Sequence, residues 1–378
     1  MEFRNDMDAG SSKPAGLAVE QIVAPELQFQ HLPVDIERVD AAWLSYVLGM
    51  RYPGVVVSSV TMPTINWGTA TKLSLALEYS ARPSGASLPR KMLLKGGFNA
   101  AMRKRVWAAY RAEALFYGQL GQDVPIALPR TYFEGIDRAN HQALVLMEDL
   151  EAAQCSFGDA TRPMSIDQAR SALSSLAALH ARWWNDVRQL TKFDWKDSLR
   201  VVLRRWLLAD HWSAQFERHK RTKPSGILAD REKVAEALER LWRLQGPGTC
   251  ILHGDPHLGN IYFTRDGEPR FLDWQVVHAG HWAHDVAYFL VGALSVEDRR
   301  CGEIDLLQHY LAELHRHGIA VPGWDEAWLA YRRDVIHGYV SWFLTPSDMQ
   351  PVETLAAFAE RYHAAMVDHD TMRLLGHS

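Results

Sequence analysis

The clearest pattern in the chain is a two-residue alternation: Leu73, Leu75, Leu77 and Tyr79 fall on one side of the stretch 72–79. That is the mark of a strand with one buried face. A second strand is expected over 55–65, joined to the first by the tight segment Asn66, Trp67, Gly68, Thr69, Ala70, Thr71. Further strands are expected over 90–95 and over 143–150, ALVLMEDL, where an apolar run enters a short acidic connector. Elsewhere the period lengthens. Val106, Tyr110, Tyr117 and Leu120 recur at helical spacing within 101–120, and Ile166, Ala169, Leu173, Leu176, His180, Trp184 and Val187 follow three-and-four spacing. Helices are also expected at 41–48, through 195–245, from His278 to Leu290, and at 324–339 and 351–366. Strands early and helices late predict an α+β protein with a small strand-rich lobe and a large helical one.

Composition narrows the class only slightly. A chain of 378 residues can bury a large core in two lobes. A net charge of -4 gives no reason to expect nucleic acid as a partner. Three widely spaced cysteines, Cys155, Cys250 and Cys301, suit a reducing compartment. The polar opening residues contain no apolar core of signal-peptide length, so 1–34 is expected to be a mobile tail. No apolar run has bilayer-spanning length, and a cytoplasmic protein without a membrane partner is expected. Nothing in the sequence sets an oligomeric state.

The chemistry concentrates in 250–275, CILHGDPHLGNIYFTRDGEPRFLDWQ. Two short apolar runs, Ile261-Tyr262-Phe263 and Phe271-Leu272, flank a turn with Asp266-Gly267, a strong hairpin signal. Closing that hairpin sets Asn260 beside Asp273. Two oxygen ligands at adjacent strand ends suit Mg²⁺, which takes few protein oxygens and completes its shell with water and phosphates. Asp255 would then act as a base. Upstream, Glu113 falls on the apolar stripe of the 101–120 helix, where a carboxylate is costly unless a cation meets it.

His253-Gly254-Asp255, then Asn260, then Asp273 after a hairpin resembles the catalytic segment of the aminoglycoside phosphotransferase and choline kinase family, with its ecdysteroid-kinase-like branch. The resemblance implies a two-lobed protein-kinase-like fold and transfer of the γ-phosphoryl group of ATP, or of GTP, to a hydroxyl of a small molecule. In those terms Asp255 is the base, Asn260 and Asp273 hold Mg²⁺, and His253 supports the loop. Lys95 matches the strand lysine that Glu113 orients onto the nucleotide phosphates. Gly68 and Thr69 occupy the phosphate-covering loop, and Met147, Glu148 and Leu150 the adenine-binding hinge. The small lobe would be 35–147, the hinge 148–154 and the helical lobe 155–378. Asp285, in the stretch Asp285-Val-Ala-Tyr-Phe-Leu, matches an aspartate that braces the catalytic loop, and His180 is read as a packing histidine.

Two other readings use the same residues. His253, His257, His278, His281 and His284 with the aspartates would suit a metal-dependent hydrolase. Loss of catalysis in a kinase-like frame would leave a binding module, yet Asp255, Asn260, Asp273 and Lys95 are all present. The basic group Arg200, Arg204, Arg205, Arg218, Lys220, Arg221 and Lys223 reads as a solvated face, or as a receiver of an acidic acceptor. Trp183, Trp184, Trp206, Trp212, Trp282, Tyr288, Trp324 and Trp342 are expected to be mostly core. Two or three of them beside Asp255 would favour a steroid-like or macrolide-like acceptor over an aminoglycoside or a sugar alcohol.

Overall fold

The computed structural model describes residues 31–85, 87–186, 196–218, 224–244 and 246–377. Most of the expected tail, together with Val187, Lys220, Arg221 and Lys223, lies outside the described residues. The last residues assigned to that tail are fastened to the small lobe. Gln142 Nε2 donates to the Pro33 carbonyl at 2.7 Å, and His31 Nδ1 lies 3.1 Å from the Asp137 carboxylate.

Helix α1 (Ala41–Gly49) starts where the Asp40 carboxylate accepts from Trp43 N at 2.8 Å. Strands β1 (Val56–Asn66), β2 (Thr71–Ala81), β3 (Lys91–Gly96), β4 (Thr131–Asp137) and β5 (Gln142–Glu148) then form an antiparallel sheet ordered β1-β2-β3-β5-β4. The predicted alternation decides which face is buried: Leu73, Leu75 and Leu77 join Trp43, Leu44, Met92, Leu94, Leu144 and Leu146 in one apolar cluster. Val145 and Met147 point the other way and join the main core of the large lobe.

The helix expected over 101–120 is broken. Asn99 caps α2 (Ala100–Arg105), Val106 leaves helical space at φ −122°, ψ 25°, and α3 (Trp107–Leu115) runs into a wide π turn, Phe116–Leu120. Apolar spacing reports which face is buried, and Tyr110, Glu113 and Tyr117 are indeed buried. It carries no information on the hydrogen-bond register, so the break could not be read from it.

In the large lobe, β6 (Ser156–Phe157) precedes α4 (Ile166–Arg182), which Ser165 and Gln168 open with a reciprocal capping box. Helices α5 (Lys196–Trp206), α6 (Ala209–Arg218) and α7 (Arg231–Arg243) follow. Strand β7 (Thr249–Leu252) leads to the hairpin β8 (Ile261–Phe263) and β9 (Pro269–Phe271), which pairs with β6. The stretch after Asp273 corrects an expectation: His278–His281 is a strand, β10, paired antiparallel with β7, and the helix begins only at α8 (Ala283–Ala293). Gly280 permits the pairing, because a Cβ there would lie 2.6 Å from Leu252 Cδ1. Helices α9 (Val296–Arg316), α10 (Trp324–Leu344), α11 (Val352–Asp368) and α12 (Thr371–Leu374) complete the lobe. No helix among the described residues is long and apolar enough to cross a membrane.

Candidate active site

The loop from β7 to β8 is built around a glycine and a buried carboxylate. Gly254 sits at φ +85°, and a Cβ there would collide with the Val276 carbonyl oxygen and meet His278 Nδ1 at 2.8 Å. Asp285, fully buried on α8, accepts from His253 N at 2.7 Å and Gly254 N at 2.9 Å, and lies 3.1 Å from His180 Nε2. Burial opposes its charge, but the hydrogen bond and charge of His180, together with His284 and His253, outweigh it and hold the Asp285 pKa at about 2. His180 is anchored in turn by Tyr310 OH at 2.7 Å. His253, which burial keeps below its ordinary pKa, bridges Leu272 O (3.0 Å) and Asp255 N (3.3 Å) with its two ring nitrogens. The backbone beneath Asp255 is thus held from both sides.

Asp255 reaches the cleft from this support. Asn260 Nδ2 donates to its backbone oxygen at 2.9 Å and to its carboxylate at 3.1 Å. The hairpin closes as expected: Leu272 N donates to Asn260 O at 3.0 Å, bringing the residue before Asp273 alongside Asn260. Asp273 is left-handed, φ +67° and ψ 70°, which turns its side chain into the cleft. There Lys95 Nζ lies 2.8 Å from Asp273 Oδ1 and 2.8 Å from Glu113 Oε1. The cation that buried Glu113 demanded is therefore Lys95, reached from the neighbouring strand. Burial works against the lysine's charge, but Asp273 and Glu113 raise its pKa above the ordinary value. Asp273 falls to about 2, where Lys95 and Lys72 outweigh burial.

Beside Lys95 lies a cavity of about 320 Å³ lined by Leu93, Tyr117, Met147, Leu150, Phe157 and Leu272, with Lys72 and Lys95 at its polar end. Glu148 faces elsewhere: its N–H donates to Arg130 O at 2.8 Å and its carboxylate accepts from Arg130 N at 2.9 Å. The Leu150 N–H has no acceptor among the described residues. Gly68 and Thr69 lie over the neighbouring cleft, with Thr69 O held by the Tyr110 hydroxyl. Gly68 does not need to be glycine for the sake of the fold, since a Cβ would meet only Ala70 O, at 3.5 Å.

Three neighbours were not read in their present roles. Lys72 pairs in register with Lys95 and lines both cavities. His257 Nε2 stands 3.5 Å from Asp255 Oδ2, and the buried Tyr288 is near enough for the Asp255 charge to help burial raise its pKa. The two-residue alternation of β2 turns Lys72 away from Leu73, a signal that could have found it. Tyr288 comes from α8, and nothing in its spacing indicates Asp255.

The histidines do not form a metal centre. Both ring nitrogens of His180 and of His253 are engaged, His278 Nδ1 bonds Val276 O at 2.8 Å and His284 Nε2 bonds Gly254 O at 3.0 Å. Among the described residues no group of three or more His, Cys, Asp or Glu is arranged to hold a metal ion. The oxygens that suit Mg²⁺ are elsewhere. Asn260 spends its amide nitrogen on Asp255, and its amide oxygen and the second carboxylate oxygen of Asp273 have no partner among the described residues. Two open oxygens facing the cleft fit a hard divalent cation.

Residues 103–327, more than half of the chain, match the phosphotransferase enzyme family. The chain belongs to that family. Like other phosphotransferases of its kind it has two lobes, and a solved structure agrees in fold. This is a provisionally assigned aminoglycoside phosphotransferase from Ralstonia eutropha JMP134, 15% identical, TM-score 0.50, with 88% of this chain and 98% of that one covered. More distant are a Plasmodium vivax ethanolamine kinase (13% identity, TM-score 0.45, 82% of each chain) and a choline kinase from Streptococcus pneumoniae (12% identity, TM-score 0.44, 87% of this chain and 98% of that one). No curated protein matches the phosphotransferase in sequence. Membership makes the chain a phosphotransferase.

Proposed function

We propose that this phosphotransferase moves the γ-phosphoryl group of ATP, with GTP as the alternative donor, to a hydroxyl of a small acceptor. The candidate acceptors are steroid-like and macrolide-like alcohols, aminoglycosides and sugar alcohols. One observation carries the reading: Asp255, Asn260, Asp273 and Lys95, drawn from both lobes, converge on one cleft of about 860 Å³.

In the mechanism, Asp255 orients the acceptor hydroxyl and receives its proton as the acceptor oxygen bonds to Pγ. The bond from Pγ to the β–γ bridging oxygen breaks, and its electron pair leaves with the nucleoside diphosphate. His257, 3.5 Å from Asp255, and the neighbouring Tyr288 keep its carboxylate aimed. Lys95, fixed between Glu113 and Asp273, offers charge to the phosphates, helped by Lys72. Asn260 and Asp273 would hold Mg²⁺, which when bound supplies charge neutralisation at the phosphates. Because the Glu148 N–H is already spent, Leu150 N is the hinge donor to the base, packed between Met147 and Leu272. His253 positions the loop. Rate comes from positioning and electrostatics.

By this reading 35–147 binds nucleotide, 148–154 is the hinge, and 155–378 carries the base and the acceptor. A cytoplasmic setting agrees with Cys155, Cys250 and Cys301 being unpaired. A nucleotide-consumption screen with Mg²⁺ across a chemically diverse alcohol library tests the proposal. Acceptor-dependent release of nucleoside diphosphate supports it; none across the library, with no nucleotide binding, removes it.

A further inference from the structure

Resting on the phosphotransferase reading, we propose that the acceptor joins an apolar body to an anionic group, a carboxylate or a phosphate, and that Arg205 receives that group. The wall of the cleft beyond Asp255 is built largely by α5. Arg205 follows Val201 by four positions and Val202 by three, so it neighbours each on the helix surface, and Trp206 lines the cleft with them. Val201 is 61% exposed and Val202 41%, and across the opening Met349 is 46% exposed. Apolar side chains gathered at the mouth of a cleft are what a ligand with an apolar face would cover.

Charge supplies the second half of the argument. Arg205 has no ion pair or side-chain hydrogen bond among the described residues, whereas the arginines beside it on the same helix are tied down. Arg204 meets Glu239 at 2.5 and 3.0 Å, and Arg200 donates to Trp242 O at 3.3 Å. Arg105, from α2 of the small lobe, lines the same cleft and has no ion pair or side-chain hydrogen bond among the described residues. The only carboxylates among the lining residues are Asp255 and Asp273, and both belong to the chemistry already described.

The carboxylates that would welcome a polycationic acceptor face elsewhere. Asp149 and Glu151 line the nucleotide cavity, Glu148 is bonded to Arg130, and Asp285 is sealed under the catalytic loop. A cationic acceptor would meet Lys72, Arg105 and Arg205 with no counter-charge to spare. An anion would meet two open guanidinium forks, whose geometry matches carboxylate and phosphate oxygens. The aromatic supply does not decide the matter: of the eight candidate tryptophans and tyrosine, only Trp206 lines the cleft, and Trp183, Trp212, Trp282, Tyr288 and Trp342 are buried.

The test uses the full chain with Mg²⁺-ATP and sets of matched acceptors, each a hydroxylated apolar skeleton ending in a carboxylate, a phosphate monoester, a primary amide or an amine. The anionic members should exceed the amide in kcat/KM by roughly tenfold or more, the worth of a charge-assisted hydrogen bond, with the amine last. Arg205→Gln should erase that advantage by raising the acceptor KM and leave the KM for ATP unchanged. The carboxylate and phosphate arms tell which anion is preferred. Robust transfer with the amide or amine equal to or better than the anions overturns the proposal and leaves the phosphotransferase reading intact. An Arg205→Gln loss equal on all four acceptors, or a raised KM for ATP, also overturns it. No transfer to any member, neutral ones included, sinks the underlying reading instead.

Discussion

Two glycines near the cleft have opposite reasons for being glycine. Gly254 is required by the fold, because its φ of +85° and the Val276 carbonyl leave no room for a Cβ. Gly68 has space for a Cβ inside the protein, so only a closely approaching ligand would demand glycine there. Gly68→Ala should therefore melt within a degree or so of the parent protein and raise the KM for ATP, while Gly254→Ala should lower the melting temperature and cost turnover. Thermal melts run beside nucleotide titrations check both; an unchanged KM in Gly68→Ala would remove the loop from the phosphate site. Asp255, Asn260 and Asp273 were legible because eighteen residues and one hairpin relate them, a local arrangement that a turn signal can report. Tyr288 and His257 were not legible in that role, since their contact with Asp255 depends on how α8 and a short turn pack, which no periodicity records.

Element α8 shows how a helix packed under the β7–β8 loop holds it in place. Its Asp285 accepts both loop amides and the His180 ring, and is the buried counter-charge for that assembly. The sign follows from the depressed pKa. A carboxylate near 2 when folded and near 3.8 when unfolded contributes stability that is complete above about pH 4 and lost as the pH falls toward 2. That difference is worth on the order of 2 kcal/mol. Asp285→Asn should lower stability at pH 7 by about that amount or more, since an amide also orphans one loop N–H, and should flatten the acid limb of the stability curve. Denaturant unfolding from pH 2 to 7 measures it; an acid limb unchanged in the variant would show that Asp285 does not carry the effect. The bracing role was readable from the Asp285-Val-Ala-Tyr-Phe-Leu stretch. The strand His278–His281 before it was not, because four residues with histidine at both ends satisfy either period and only β7 across the ladder decides. The same limit applies to the break at Val106.

Across the whole molecule, Lys95 is where the lobes meet electrostatically: small-lobe Lys95 and Glu113 close on large-lobe Asp273. Mg²⁺-ATP bridging the same residues should stabilise the fold. At about a hundred times its dissociation constant a ligand contributes roughly 2.7 kcal/mol, a rise of a few degrees in Tm. Asp273→Ala should abolish the Mg²⁺ dependence of that rise; a shift with the same Mg²⁺ dependence in the variant would place the metal elsewhere. The two-lobed α+β architecture was legible because strand and helix periods segregate along the chain, but the acceptor wall was not, since α5 presents Val201 and Arg205 to a cleft that only tertiary packing creates. The most direct test of the central claim follows the labelled γ-phosphate of ATP onto a hydroxyl acceptor in the parent protein and in Asp255→Asn. Turnover should fall by about a hundredfold or more with nucleotide affinity unchanged, the scale of losing a general base. A folded Asp255→Asn variant that transfers phosphate at nearly the parent rate would contradict it.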